Sequence, residues 1–137
     1  MFYLIRFISY FNKFKTLLLT YIYSKRLRTI GNNCKINNIC NFGNKTHIGN
    51  DCHFNGISII GFGKTSIGNH FHSGSKIIII TSSHNYKSNT HLPYDNNELI
   101  EDVIIGNYVW LGARVMLLPG TKLEDGVIVQ AGSVVHG

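Results

Sequence analysis

An apolar residue recurs every six positions along most of the chain after residue 29. The series has one extra residue after Ile60, stops between Thr81 and Asp102, and then resumes with the same spacing. Its members are Ile30, Ile36, Phe42, Ile48, Phe54, Ile60, Ile67, Ser73, Ile79, Ile105, Leu111, Leu117, Leu123, Val129 and Val135. All but Ser73 are apolar, and no sustained helical period accompanies them. Residues 29–137 are therefore predicted to form one domain of repeated short strands.

The residues that follow the apolar sites predict the turns. Gly and then Asn follow at positions 31 and 32, 43 and 44, 49 and 50, 68 and 69, and 106 and 107. Gly and Asn adopt positive φ at least cost, so we expect these pairs to turn the chain. One six-residue unit cannot bury its apolar face alone. Three units can close a triangular coil, and stacked coils direct every apolar site into a common core.

The three cysteines lie four residues after apolar sites, in a second inward column of small or β-branched residues. They form no CxxC pair for zinc, and their number is odd for disulfides. We therefore interpret Cys34, Cys40 and Cys52 as small core residues and predict no metal site. The column continues with Thr46, Ser58, Val109, Val115, Thr121, Val127 and Ser133.

Residues 1–28 are predicted to form a basic amphipathic helix ahead of the repeats. Their apolar runs are too short for a membrane-spanning helix, which needs about 20 mostly apolar residues. Two interpretations remain open: the helix lies on an anionic membrane surface, or it packs on its own domain or a sister subunit. The polar and basic positions are Arg6, Asn12, Lys13, Lys15, Lys25, Arg26 and Arg28.

The break in the repeat, residues 82–102, is the predicted location of the chemistry. A long loop inserted in a regular solenoid is a common functional position, because the scaffold fixes both its ends. The break opens with Ser83, His84 and Asn85. An imidazole has a suitable pKa to accept a proton near neutral pH, so His84 is the candidate general base. His91 in the same loop is the next candidate, and a His that merely caps a turn is the competing interpretation.

Several segments resemble a known enzyme family. The run Ile105-Gly-Asn-Tyr-Val-Trp-Leu-Gly-Ala-Arg-Val-Met-Leu-Leu-Pro-Gly120, the segment Ala131-Gly-Ser-Val-Val135 and the upstream Ser-His-Asn resemble the hexapeptide-repeat acyltransferases. The similarity is greatest to the galactoside, maltose and capsular-polysaccharide O-acetyltransferase branch. It implies an all-β fold, a left-handed parallel β-helix, although the general crossover rule favours the opposite hand.

The resemblance also implies roles for individual residues. It implies acetyl-CoA as the acyl donor and His84 as the general base for transfer to a sugar or polysaccharide hydroxyl. Asn55 and Asn85 are expected on the acceptor side. For Asn55, a purely structural role in a turn is an equal alternative. Cofactor contacts are expected at three positions: the side chain of Trp110, the backbone N–H of Ala113, and Ala131. Such enzymes form homotrimers, and they usually continue beyond the last coil with a basic segment, whereas this sequence ends at Gly137.

Composition narrows the partners and leaves two other functions open. Thirteen Lys and Arg against seven Asp and Glu give a net charge of +6, which favours anionic partners. No nucleic-acid-binding motif is present. No cleavable signal is seen, so we expect a cytoplasmic protein, peripheral at the membrane if residues 1–28 bind it. The alternatives are a catalytically degenerate β-helix scaffold and a zinc-dependent γ-carbonic anhydrase, which needs three converging histidines.

Overall fold

In the computed structural model, which describes residues 2–27 and 29–137, one helix precedes fifteen short strands. Helix α1 spans Phe2–Arg26. The strands are β1 (Lys35–Ile36), β2 (Thr46–Ile48), β3 (His53–Phe54), β4 (Ile57–Ile60), β5 (Thr65–Ile67), β6 (His72–Ser73), β7 (Ile77–Ile80), β8 (Ser82–His84), β9 (Glu98–Ile100), β10 (Val103–Ile105), β11 (Trp110–Leu111), β12 (Met116–Leu117), β13 (Lys122–Leu123), β14 (Ile128–Val129) and β15 (Val134–Val135).

Thirteen of these strands form three parallel sheets. Sheet 1 has the order β1-β3-β6-β11-β14, sheet 2 the order β4-β7-β12-β15, and sheet 3 the order β2-β5-β10-β13. From β3 to β15 the chain visits sheets 1, 2 and 3 in rotation, apart from an antiparallel pair formed by β8 and β9. This rotation is the three-sided coil that the six-residue spacing predicts, and it fits a parallel β-helix.

The apolar sites point inward as predicted, with one correction. Ile60 is 53% exposed, whereas Ile57 and Ile59 are buried. Strand β4 pairs with β7 so that Ile59 lies beside Ile79, and side chains alternate across a strand, which turns Ile60 outward. Ser58, placed in the second inward column by spacing, is only partly buried for the same reason. Three isoleucines in four positions made the register ambiguous from spacing alone.

Four of the five Gly-Asn pairs turn the chain for a different reason from the one expected. Positive φ falls on the residue after the pair, at Asn33, Asp51, His70 and Tyr108, whereas in the pair Gly43-Asn44 it falls on the glycine, as expected. At the other four pairs the glycine is required by the close stacking of coils. A Cβ built on Gly68 would lie 2.6 Å from the carbonyl oxygen of Gly106, and similar contacts occur at Gly31 and Gly49. Only a residue without a side chain fits there.

Asn32, Asn50, Asn69 and Asn107 form a ladder along the corner between sheets 3 and 1. The side-chain oxygens of the last three each accept a hydrogen bond from the backbone N–H of the Asn one coil earlier, at 2.8 Å for Asn50 and 2.9 Å for Asn107. The ladder ends at Asp125, whose carboxylate accepts the backbone N–H of Asn107 at 2.6 Å. It thus ties neighbouring coils together at one edge of the prism.

The core is continuous through the prism and includes all three cysteines. Phe42, Phe54 and Phe71 pack in sequence, with ring centroids 5.0 Å and 5.4 Å apart. Cys34, Cys40 and Cys52 are buried, and their thiols are free. This confirms their interpretation as small core residues. The Cys52 thiol, hydrogen-bonded to Cys34, lowers the pKa of Cys34 to about 7 and thereby raises that of Cys52.

Helix α1 covers the exposed edge of the first coil with hydroxyl groups. The Thr20 hydroxyl accepts the backbone N–H of Ile36 at 3.0 Å. The Tyr23 hydroxyl accepts the N–H of Cys40 at 3.0 Å and also donates to the carbonyl oxygen of Cys40. These bonds satisfy backbone groups that would otherwise form an open sheet edge. Within residues 2–27 and 29–137, no helix combines the length and apolar character needed to cross a bilayer.

Candidate active site

The break in the repeat folds into a hairpin arm that presents His84 to solvent. Strands β8 and β9 pair antiparallel, with His84 opposite Glu98. The arm leaves the coil after β7 of sheet 2 and returns to β10 of sheet 3. The His84 ring is exposed and stacks on Tyr94, with ring centroids 4.0 Å apart and the planes 10° from parallel. The imidazole is therefore held at a fixed place on the surface.

Asp95 organises the tip of the hairpin. Its carboxylate accepts a hydrogen bond from the backbone N–H of Asn97 at 2.8 Å and from the side-chain amide of Asn85 at 2.9 Å. These bonds, led by the Asn97 N–H, lower the pKa of Asp95 below its usual value. Asn85 is thus anchored beside His84, and no side chain or backbone group of the described residues donates to its side-chain oxygen. His91, the second candidate base, lies further along the tip with its Nδ1 3.0 Å from the Thr90 hydroxyl.

Trp110 lies on the outer face of sheet 1, in a column of aligned side chains. In register it follows His72 and precedes Ile128, and its indole is 51% exposed. His53 and His72 are neighbours in this column, one coil apart, with 5.9 Å between ring centroids. Burial is the main cause of a lowered pKa at His53, and the nearby positive charges of Lys35 and protonated His72 lower it further. The middle of the column is thus formed by imidazole and indole rings that meet edge to face.

Ala113 and Ala131 lie one coil apart at the corner between sheets 1 and 2. Among the described residues, neither backbone N–H donates a hydrogen bond to a protein acceptor. A Cβ built on Gly74 would lie 2.5 Å from the Ala113 nitrogen, and one on Gly112 would lie 2.4 Å from the Ala131 nitrogen. Glycines thus let the coils stack closely here, and two free N–H donors remain beside the Trp110 surface.

Asn55 is engaged in the coil itself. Its side-chain nitrogen donates to the carbonyl oxygen of Ser73 at 2.6 Å, and its oxygen accepts from the Asn37 amide at 2.9 Å. These contacts hold the corner between sheets 1 and 2. The structural alternative stated for Asn55 therefore has direct support, and the role on the acceptor side stays a prediction.

The structure brings the predicted residues together in two groups. His84 and Asn85 are on the hairpin, which leaves the corner between sheets 2 and 3. Trp110, Ala113 and Ala131 lie along sheet 1 and its corner with sheet 2. Within the described ranges, no hydrogen bond or ring contact joins His84 to the second group. The candidate base and the candidate donor surface are therefore on different parts of one prism.

Two residues of this site were not singled out from the sequence. Tyr94 and Asp95 lie inside the break, where the repeat gives no position for a side chain. An aromatic and an acid in a loop that contains the candidate base were the available signal. In the part of the chain described, no three His, Cys, Asp or Glu side chains converge as metal ligands would.

A large groove lies away from both groups, between α1 and the first coil. It has a volume of about 1160 Å³ and is lined by residues that include Ile8, Lys13, Leu17, Lys35 and His53. Neither His84 nor Trp110 reaches it. The candidate chemistry is therefore on open surface of the single chain.

Comparison with known proteins supports the resemblance seen in the sequence. Residues 102–137 match the family model described as bacterial transferase hexapeptide (six repeats). A dTDP-4-amino-4,6-dideoxy-D-glucose acyltransferase from Escherichia coli is 34% identical over 116 residues, covering 78% of this chain and 60% of the relative. A galactoside O-acetyltransferase from Lactococcus lactis is 30% identical over 115 residues, covering 81% of this chain and 55% of the relative.

A solved structure is similar as well. A maltose O-acetyltransferase from Clostridium difficile 630 has a TM-score of 0.55 and 28% identity, covering 79% of this chain and 56% of that one. The predicted resemblance to hexapeptide-repeat O-acetyltransferases is thereby confirmed. The chain spans between 55% and 60% of the length of these three proteins.

Proposed function

We propose that this chain is an acetyl-CoA-dependent O-acetyltransferase acting on a sugar or polysaccharide hydroxyl, with His84 as general base. The observation that carries the proposal is the hairpin in which His84 is stacked on Tyr94. The similarity of the chain to proteins named as sugar acyltransferases supports it. Tyr94 fixes the imidazole plane, and Asp95 fixes Asn85 next to it. A fold alone does not assign a function, so the assignment depends on this arrangement of side chains.

The proposed reaction uses His84 for both proton transfers. His84 accepts the proton of the acceptor hydroxyl as that oxygen attacks the thioester carbonyl carbon, which forms the new C–O bond. The C–S bond then breaks, and His84 returns the proton to the departing sulfur. A neutral imidazole near pH 7 suits both steps, because it is a base when the attack begins and an acid once protonated.

The Trp110 surface suits the acyl donor. An exposed indole on a flat sheet face provides an apolar wall for an extended pantetheine chain. The free N–H of Ala113 is a donor that the thioester oxygen can accept as negative charge develops on it, and Ala131 offers the same group one coil further on. The close stacking at Gly74 and Gly112 leaves this strip of backbone open.

A homotrimer of left-handed β-helices would complete the site. Within one chain the hairpin and the Trp110 surface face different directions, so a base and a donor from the same subunit do not meet. Packing three prisms about a threefold axis sets the hairpin of one subunit against the Trp110 surface of its neighbour. The similarity of the chain to a maltose O-acetyltransferase structure supports this arrangement and the left hand of the coil.

An amine acceptor is the second candidate. The Escherichia coli relative is named for a sugar that carries an amino group. The same base can take the proton of a protonated amine before attack, and the product is then an amide. Acceptors that differ only by hydroxyl or amine at one position would distinguish the two reactions.

The test combines binding with turnover. Acetyl-CoA should raise the melting temperature, because a ligand of the folded state stabilises it. Release of the coenzyme A thiol in the presence of galactosides, maltose or nucleotide-linked amino sugars should then identify the acceptor class. A chain with neither a thermal shift nor thiol release, measured on confirmed trimer, would instead be a catalytically degenerate scaffold.

A further inference from the structure

Helix α1 contacts the coil through a face that combines hydroxyl groups with a few apolar side chains, among them Leu19 and the ring of Tyr23, which packs edge-on against Phe42. Thr16, Thr20 and Tyr23 contact the first coil, the first through a 3.1 Å hydrogen bond to the Asn37 side chain. A surface helix ordinarily buries its main apolar stripe, whereas most of the large apolar side chains of α1 lie off the contact face and are exposed. The apolar face of α1 is consequently left for a different partner.

That apolar face is a continuous stripe along the helix. Six large side chains recur at alternating spacings of four and three, so they lie on one line of an α-helix. They are between 63% and 88% exposed, and they are Tyr3, Phe7, Tyr10, Phe14, Leu17 and Tyr21. Leu4, Phe11, Leu18 and Ile22 widen the stripe on one side and are exposed as well. Patches of this extent mark interaction surfaces.

The charges around the stripe indicate the partner. Arg6 and Lys13 border one side, Arg26 borders the other, and Lys25 lies at its end, all of them exposed. The whole helix contains no Asp or Glu. Tyr3, Tyr10 and Tyr21 of the stripe each carry a polar hydroxyl at the end of an apolar ring, which suits a boundary between lipid and water. A second copy of this helix would instead bring like charges together.

We propose that α1 docks this protein on an anionic lipid bilayer, with the helix axis parallel to the surface. The stripe enters the region between headgroups and acyl chains, and the flanking cations meet anionic headgroups. Because Thr16, Thr20 and Tyr23 hold the coil on the opposite face, the β-helix remains on the water side. Lipid docking of this kind is independent of the acyl transfer proposed above.

The experiment is flotation of the full chain with vesicles at low salt. Vesicles of phosphatidylcholine mixed with phosphatidylglycerol should carry the protein upward, and vesicles of phosphatidylcholine alone should carry much less. Raising the salt should weaken the attachment, because screening reduces the headgroup contribution. Phe7→Gln combined with Phe14→Gln should lower the partition coefficient at least about tenfold, since both aromatic rings leave the lipid.

A matched control separates the stripe from exposed apolar surface in general. Ile39→Gln combined with Phe62→Gln alters two exposed apolar residues of the coil and should leave flotation unchanged. Both variants should keep the melting temperature of the parent, because none of the four side chains is buried. Flotation unaffected by the helix variant, or no flotation of the parent on anionic vesicles, overturns the proposal. So does a lipid-free oligomer that the helix variant dissociates, since a second copy then covers the stripe.

Discussion

The imidazole of His84 lies flat against the ring of Tyr94, with 4.0 Å between centroids. Tyr94 is ten residues away along the chain, so the contact exists only because the hairpin folds back on itself. A side chain held this way loses little further freedom when it enters a transition state. The stack is thus a specific reason to test His84 before the other exposed histidines.

Replacing His84 by Ala should lower kcat by about 10²- to 10⁴-fold, the usual contribution of a positioned base. Acetyl-CoA binding should persist, because the donor surface is on a different part of the coil. Steady-state kinetics and a thermal-shift titration measure the two effects. His91→Ala is the matched control in the same loop and should retain turnover. If the two variants exchange these outcomes, His91 is the base.

Trp110→Ala should weaken acetyl-CoA binding more than it changes kcat. The substitution removes an exposed apolar wall and leaves every candidate proton acceptor in place. Isothermal titration with acetyl-CoA measures the loss directly. Ile104→Ala, on the exposed face of sheet 3, removes a comparable apolar group away from the donor surface and should bind normally. Equal binding by both variants would contradict the role of Trp110.

Gly68→Ala should destabilise the fold by about 3 kcal/mol, because its Cβ meets rigid backbone of the next coil. Gly126→Ala should cost only about 1 kcal/mol. That glycine has a φ of +75° but open space around it, so only backbone strain opposes the methyl group. Chemical denaturation of the two variants provides the comparison. The reverse order would show that turn conformation, and not coil contact, selects glycine at these corners.

Asp125 should make the fold more stable above its usual pKa than below it. In the folded state, hydrogen bonds from Asn107 hold the pKa of this carboxyl below its usual value of 3.8. Its contribution is therefore present above pH 3.8 and is lost as the pH falls further, through the lowered value. Asp125→Asn keeps an acceptor oxygen without the charge. The melting temperatures of parent and variant should differ at neutral pH and converge in acid. A constant difference would contradict this linkage.

The repeat predicted the prism because one apolar residue in six is enough to define an inward column. It failed at Ile60, where Ile57 and Ile59 compete for the same inward positions and only strand pairing decides between them. The repeat also identified Gly68 and Asn69 as turn residues, but it did not show why Gly and Asn are needed there. Gly68 is needed for backbone contact between successive coils, and Asn69 for hydrogen bonds between them. A spacing pattern along the sequence cannot show either, because it does not contain the distance between coils.

The site was predicted less completely than the fold. His84 is recognisable because it stands at the one break in a regular pattern. Its contact with Tyr94 depends on the antiparallel pairing of β8 and β9, which lies outside the repeat. The helix shows a similar limit. Its sequence revealed an apolar face, but the attachment through Thr20 and Tyr23 depends on unpaired backbone groups of a distant strand.

The amide ladder from Asn32 to Asp125 also bears on how the domain unfolds. Every rung joins only adjacent coils, so the free energy of each coil depends on its immediate neighbours. Such a stack behaves as a one-dimensional cooperative chain, in which damage spreads outward from a single weak junction. The rung between Asn69 and Asn107 spans the hairpin insertion, where the pairings of β5 with β10, β6 with β11 and β7 with β12 also join the two halves. Loss of that rung would weaken this junction and reduce the cooperativity with which the two halves unfold.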